Sequence, residues 1–313
     1  MCIRDRYIVM AFLPIPAFLV MIFYVIMYAL NMSTVPMLTM IAMNYINEGT
    51  YVNFGLARGI GSASWATSAL VFGQVVSFLG ANILSIAYCV FALVTLFILY
   101  HLPESKITKT KTEEVQEEGS VVTVIKKYKI FFFLLLGFCF MFSGATAIGT
   151  YLINIVKSLG GNTSLYGVAM FAMAFSELPV MMTVPKLMKK FNSVTLILVA
   201  SIFYICRNYT IGLAPNLIVL IIGMMFQGLS YGLFTGVITY YVTYNLDTQD
   251  QMSGQTMIGI MTSGIGSTLG NVLGGILQDT IGLNALFTFV YLMTALGAVI
   301  IFICKFVSVK VKK

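Results

Sequence analysis

Glu177 lies in "FAMAFSELPVMM", the one acid of this chain set deep in an apolar run. A carboxylate in hydrocarbon costs about 2.5–3.5 kcal/mol on insertion scales, so one that is kept there points to function. The other acids lie in polar loops (Glu104, Glu113, Glu114, Glu117, Glu118, Asp247, Asp250), at the ends of apolar runs (Glu48, Asp279) or in the first residues (Asp5). By elimination, Glu177 is the side chain able to carry a proton within a membrane. Two cations share its kind of surroundings: Arg207 in "SIFYICRNYTIG" and, less deep, Arg58 in "FGLARGIGSASWATSALVFG". Arg207 falls on the next apolar run and is the cation expected to pair with Glu177. Seven residues after Arg58 stands Trp65, the only tryptophan. On a helix, seven residues turn through about 700°, so the two side chains point nearly the same way, two turns apart. Gly61, Ser62 and Ser64 leave room beside the ring. A guanidinium offers forked donors to hydroxyl or carboxylate oxygens, and an indole offers an apolar face to a sugar or aromatic ring. A snorkelling arginine and an interfacial tryptophan are the plainer reading of the same pair. No nucleophile–base pair, phosphate loop or nucleotide fingerprint accompanies these residues, which argues against an enzyme.

The elements that must position them are transmembrane helices. Of 313 residues, 59% are hydrophobic and only 9% charged, against about 25% charged in a soluble domain. Apolar runs of the length needed to cross hydrocarbon recur throughout. Candidate spans are 17–45, 55–79, 82–101, 130–156, 166–188, 194–213, 217–244, 254–279 and 283–307. The fold class is therefore all-α, polytopic and membrane-embedded. The net charge of +7 is no nucleic-acid footprint, because the lysines cluster between spans: Lys106 to Lys129, Lys186 to Lys190, and Lys305 to Lys313. Positive residues stay cytoplasmic, so the expected site is the cell (cytoplasmic) membrane, with the central loop and the C-terminus on its cytoplasmic side. Alternation puts 45–54, 189–193 and 245–253 on the same side. The short connections near Gly80, Gly160, Pro215 and Gly282 then face out, almost uncharged apart from Lys157 and Asp279. The five cysteines are scattered, with no metal or disulfide spacing. His101 ends the third span and reads as an interfacial anchor. Gly228, Gly232 and Gly236, and again Gly266, Gly270 and Gly274, recur every fourth residue, a spacing that lets helix backbones approach closely. Pro36 and Pro179 sit inside spans, and a bend at Pro179 would give water a path to Glu177.

The opening "MCIRDR" is polar and joined abruptly to "YIVMAFLPIP". We expect residues 1–6 to be a non-native leader, 7–104 a remnant of an N-terminal six-helix half with about three spans, 105–128 a cytoplasmic central loop, and 129–313 a C-terminal six-helix half. A six-plus-six plan with a charged central loop resembles the major facilitator transporters, whose halves are parallel repeats. About nine of twelve helices would be present, and such a fragment alone is not expected to support uptake.

"FGLARGIGSASWATSAL" resembles the fifth-helix segment of the lactose permease family, the oligosaccharide–proton symporters, which carry an FG-x-AR run with a Trp seven residues after the Arg. The resemblance covers nearly the whole chain after residue 7 and is strong around 54–70. It implies that Arg58 bonds sugar hydroxyls and that Trp65 stacks on a sugar ring. Arg207 and Gln227 keep the family's interval between a ninth-helix Arg and a tenth-helix His, which adds both to the substrate-binding candidates. Glu177 matches the family's eighth-helix Glu and is the proton-coupling candidate. The departures are specific. The fourth-helix sugar-binding acid would fall near Thr39 or Met40, the tenth-helix His is Gln227, the acid three residues later is Ser230, and the eleventh-helix Lys falls at Ser263. Related branches that carry nucleosides or aromatic acids share the "SELP" glutamate. The resemblance implies a secondary transporter of a small polar solute, a sugar or oligosaccharide, working by alternating access with proton symport. It implies no cofactor beyond the proton gradient, and no metal. The partners are substrate, protons and the lipid bilayer, and the chain acts as a monomer. Nucleoside or aromatic-acid transport, facilitated diffusion without protons, and a non-transporting scaffold or sensor are the alternatives.

Overall fold

The computed structural model describes residues 17–49, 53–79, 82–101 and 120–311. The leader, most of the central loop and Gly80 lie outside the described residues. The described chain is helical: α1 Ala17–Asn47, α2 Phe54–Leu79, α3 Asn82–Tyr100, the short α4 Val121–Lys127, α5 Lys129–Ser158, α6 Thr163–Lys190 and α7 Ser193–Gly212. The next span runs from α8 Leu217–Met225 through a π-helical segment Gly228–Gly232 into α9 Leu233–Asn245. After a 3₁₀ turn Thr248–Asp250, another runs from α10 Gln251–Gly259 through a π-helical segment Ile260–Gly266 into α11 Ser267–Thr280, and α12 Leu283–Val311 ends the chain. Each expected span falls on one of these rods. Among the described residues, six helices, from Lys129–Ser158 to Leu283–Val307, are long and apolar enough to cross a membrane.

Short polar punctuation sets the helix ends. Asn162, Asn192 and Asn216 each accept a backbone N–H from the first turn of α6, α7 and α8, at 3.0, 2.9 and 3.0 Å. Asn53 does the same for α2, accepting from Leu56 at 3.0 Å. Such caps contribute about 1 kcal/mol each. Gly160 and Gly282 take φ of +77° and +109° just past helix ends, a backbone region in which a Cβ is strained.

The chain divides into two compact units. One contains the described residues of 1–50 and 67–116, that is, α1, the second half of α2 and α3. Its Phe72 and Phe91 rings meet edge-on at 6.3 Å, and α3 turns Phe91, Leu93, Leu96 and Phe97 outward, as lipid contact requires.

The other unit contains 51–66 and everything described from 120 onward. Within it α5 packs on α11 and α12, while α6 packs on α8, the first π segment and α9, and α7 also lies against α8 and α9. Both glycine stripes are helix–helix contacts. A Cβ on Gly270 would strike the Ser143 carbonyl of α5, and Gly274 faces Ala147. A Cβ on Gly228 would strike the Ser176 carbonyl of α6, while Gly232 and Gly236 face Glu177 and Val184. Apolar tails are no better solvated by a neighbouring helix than by lipid, so close packing of small residues is what holds such helices together. The same device seats the start of α2 on α6: Gly55 lies over the Met181 carbonyl and Gly59 over Leu178. That seat brings Arg58 and its neighbours to α6.

Candidate functional site

Glu177 projects from the middle of α6 toward the first π segment and is only 5% exposed. Both carboxylate oxygens are met by neutral donors. The Ser62 hydroxyl on α2 donates to Oε2 at 2.5 Å, and the Gln227 side-chain amide donates through Nε2 to Oε1 at 3.2 Å. Gln227 stands immediately before the π segment, where the helix is wound too widely for regular i→i−4 bonding. Just beyond it, the Gly228 N–H turns sideways and donates to the Ser176 hydroxyl of α6 at 3.1 Å. The start of the π segment and the residue before it are thus tied to two adjacent residues of α6, Ser176 and Glu177.

The expected Glu177–Arg207 ion pair is not formed. Arg207 is 1% exposed and donates through Nη1 to Asn208 Oδ1 at 2.9 Å. Asn208 in turn donates to Thr294 Oγ1 of α12 at 2.7 Å. The reason is local: an amide on the adjacent residue offers the guanidinium a partner without crossing to α6. Arg207 still lies within electrostatic range of Glu177, as does Arg58. Arg207 Nε, the Tyr204 hydroxyl and Gln227 Oε1 are buried without a partner among the described residues. A buried unpartnered polar atom costs about 1–3 kcal/mol, so packing alone is no reason to keep three of them near one carboxylate.

Arg58 is exposed and reaches the Tyr231 hydroxyl across 3.4 Å, a long and weak bond. Tyr231 belongs to the π segment, and its ring stacks on Phe142 at 5.6 Å and beside Phe138 at 6.4 Å. Tyr204 meets Phe138 edge-on at 5.5 Å. An aromatic floor therefore runs from Arg58 toward Arg207. Trp65, seven residues beyond Arg58, is 53% exposed and is not among the groups that touch Glu177. Of the residues expected from sequence, the fold gathers Glu177 and Gln227 in direct contact, brings Arg58 and Arg207 within range, and leaves Trp65 on an open face.

Ser62, Tyr204, Asn208 and Tyr231 were not legible as site residues. Ser62 reads as a small residue making room for a ring. Tyr204 and Asn208 do lie three before and one after Arg207, on the same short stretch of helix. That proximity was the available signal.

A second polar cluster lies at the end of the bundle from which α4 enters. Lys127 Nζ donates to Asp247 Oδ2 at 2.6 Å and to Asp250 Oδ2 at 2.7 Å. The Tyr128 hydroxyl donates to Asp250 at 3.0 Å and accepts from the Asp247 N–H at 3.0 Å. Asp250 lies in the turn between α9 and α10, as its expected loop position implies, and is 1% exposed there. The two carboxylates raise the Lys127 ammonium above the ordinary lysine range, and Lys127 holds the Asp247 carboxyl below the usual carboxylate range. His101 ends α3 with Nδ1 2.9 Å from the Phe97 carbonyl, a local contact. No group of His, Cys, Asp and Glu among the described residues could hold a metal ion.

The family model of the MFS_1 like family matches residues 7–289. The chain belongs to this family. It is a multi-pass membrane protein of the major facilitator superfamily, and so a transporter. It is 22% identical over 277 residues to a maltose permease of Geobacillus stearothermophilus, covering 88% of this chain and 69% of that protein. Among solved structures, the E. coli fucose:proton symporter FucP matches with a TM-score of 0.57 at 17% identity, over 80% of this chain and 68% of that chain. FucP in its outward conformation matches with a TM-score of 0.52 at 15% identity, over 74% and 57%. At such identities the structural likeness is one of fold, and the major facilitator fold is the one the helices of this chain build.

Proposed function

We propose that this transporter moves a sugar or oligosaccharide across the cytoplasmic membrane by alternating access, with proton symport and no cofactor beyond the proton gradient. The observation that carries the reading is the Glu177 carboxylate: buried inside a span, held by two neutral donors and overlooked by two arginines. A carboxylate fixed in an ion pair has no reason to change protonation, whereas one held by neutral groups can do so at modest cost. The substrate class is supported by the names of the similar proteins, a maltose permease and a fucose:proton symporter, and by the exposed Arg58 beside the Tyr231–Phe142 stack. Forked donors over an aromatic surface suit a ring that carries hydroxyls on its edge and C–H on its face. The lysines of α4, Lys189 and Lys190 at the end of α6, and Lys305 support a cytoplasmic central loop and C-terminus.

The test is a chimera that supplies this chain with a complete set of N-terminal helices from a related transporter, in proteoliposomes with labelled maltose. Glu177→Gln should keep maltose exchange across the membrane and lose accumulation driven by an imposed proton gradient. Accumulation that persists unchanged in Glu177→Gln overturns the assignment of the coupling proton. A wild type that equilibrates maltose without moving protons is a facilitator. No maltose binding at all, with nucleosides or aromatic acids bound instead, overturns the substrate class.

A further inference from the structure

A buried carboxyl that gains and loses a proton changes its hydrogen-bonding needs. Ionised, it only accepts; protonated, it carries one O–H that must donate. A partner that can only donate serves the first state and is left facing an O–H in the second. Lysine and arginine are such partners. Serine and glutamine are not. A hydroxyl can turn from donor to acceptor by rotating its hydrogen, and a carboxamide can do so by exchanging its NH₂ and oxygen.

The partners of Glu177 are one of each. Ser62 Oγ is 2.5 Å from Oε2, and Gln227 Nε2 is 3.2 Å from Oε1. Gln227 also holds an unused acceptor: its own Oε1 is buried with no partner among the described residues. The charged and titratable side chains that face this carboxyl are Arg58 from α2, Tyr204 and Arg207 from α7, and, beyond Arg58, Tyr231 from the π segment. None of them forms a hydrogen bond with it in the described residues. Both arginines have other acceptors, the Tyr231 hydroxyl for Arg58 and the Asn208 amide for Arg207.

We propose that Ser62 and Gln227 form a reversible clamp that holds Glu177 in both of its protonation states, donating to the carboxylate and accepting from the acid. This rests on the reading of Glu177 as the coupling acid, and assigns two positioning residues to it. Gln227 thereby exchanges its expected role at the substrate for one at the proton site. Ser62 gains a role in place of making room. The clamp joins α2 to α6 and the π segment through a contact whose hydrogen reverses direction when the proton moves. The two sides stay joined throughout.

The experiment is infrared difference spectroscopy of the full purified chain in lipid, acidic minus neutral. A protonated carboxyl gives a C=O stretch whose frequency falls as its hydrogen bonds strengthen. We expect a band that is absent in Glu177→Gln and shifted to higher frequency in Ser62→Ala and in Gln227→Met, each of which removes one partner. Ser62→Thr, which keeps a hydroxyl, should return the band to its wild-type position and, in the chimera used for transport, keep accumulation, while Ser62→Ala lowers it several-fold. Thermal unfolding of each variant identifies any that misfold, and the two positions are independent readings of the same clamp. A band at the wild-type position in both Ser62→Ala and Gln227→Met overturns the clamp. If Glu177→Gln abolishes accumulation in that case, the coupling role stands and only the clamp fails. A wild type with no band that Glu177→Gln removes overturns both.

Discussion

Two acids of this chain are buried to a similar degree and are treated in opposite ways. Asp250, 1% exposed, is met by the Lys127 ammonium at 2.7 Å and by the Tyr128 hydroxyl. Glu177, 5% exposed, is met by a hydroxyl and a carboxamide, with both arginines engaged elsewhere. In the first arrangement the ammonium can only donate, which suits a carboxylate. In the second each partner can face either form of the carboxyl, as the proposal for Glu177 requires. Asp250 anchors the short helix α4 to the turn before α10. Glu177 sits where α2, α6 and the first π segment meet. The contrast is the one expected between a structural acid and the proton carrier proposed above, and it holds without reference to depth in the membrane.

The sharpest way to break the contrast is to give Glu177 the partner that Asp250 has. Gln227→Lys places an ammonium beside Oε1, turning a reversible contact into an ion pair that serves only the carboxylate. Accumulation of maltose should fall to the equilibrium level, with exchange continuing. The ratio of internal to external label, measured beside counterflow in the same vesicles, checks it. Accumulation at the wild-type ratio would mean that the neutrality of the partner is irrelevant.

The converse change sharpens it. Lys127→Met strips the ammonium from Asp250 and leaves a buried carboxylate with one hydroxyl partner. Removing one member of such a pair is worse than removing both. Lys127→Met should therefore lower the unfolding temperature, and Asp250→Asn in the same chain should recover part of the loss. Neither should change the accumulation ratio. The contact also has a pH window. The Asp247 carboxyl is held below the usual carboxylate range, and the Lys127 ammonium is raised above the usual lysine range. Its contribution is thus fully present between about pH 4 and pH 10, and is lost as pH falls through the lowered Asp247 value or rises past the raised Lys127 value. Protection of the α4 amides, their exchange rate compared with the intrinsic rate at the same pH, should be high at neutral pH and lower in acid. Protection unchanged between pH 7 and pH 3 would show that the anchor is not electrostatic.

How far these sites could be read beforehand follows from what hydrophobicity encodes. Span positions were legible because an apolar run of given length has one outcome in a bilayer. The glycine stripes were legible as contact surfaces because a spacing of four marks one helix face, although the partner helix was not. Glu177 stood out because its surroundings are apolar. Its partners did not. Arg207 was the expected one on grounds of charge, but Asn208, one residue away, meets the guanidinium first. Ser62 is a contact only because Gly55 and Gly59 let α2 approach the α6 backbone, and that distance is set by packing across 115 residues of sequence. Nor do the π segments leave a sequence signal beyond scattered glycines, yet one of them directs Gly228 N–H and Gln227 toward α6. Asp250 was legible as a loop residue but not as a buried one, because its burial depends on α4, which precedes the next long helix and is too short to register in a hydropathy pattern.

The smallest expected effect concerns the outer edge of the site. Arg58 and Tyr231 lie 3.4 Å apart, at the limit of a hydrogen bond, and Arg58 is exposed. A hydrogen bond from a charged group nets about 1.5–3 kcal/mol at ordinary geometry, and one at the limit of length and in contact with solvent is worth far less. Tyr231→Phe should therefore weaken maltose binding by no more than about threefold, since about 1.4 kcal/mol corresponds to tenfold. The Phe142 stack, which needs only the ring, should survive. Arg58→Lys should cost more than Tyr231→Phe, because the lost fork would face the substrate as well as the phenol. Binding titrations on the two variants decide the order. If Tyr231→Phe were the more damaging, the phenol itself would be the substrate's hydrogen-bond partner and Arg58 its support. The comparison between the proposed proton carrier and a structural acid would then extend to a substrate-binding hydroxyl on the π segment.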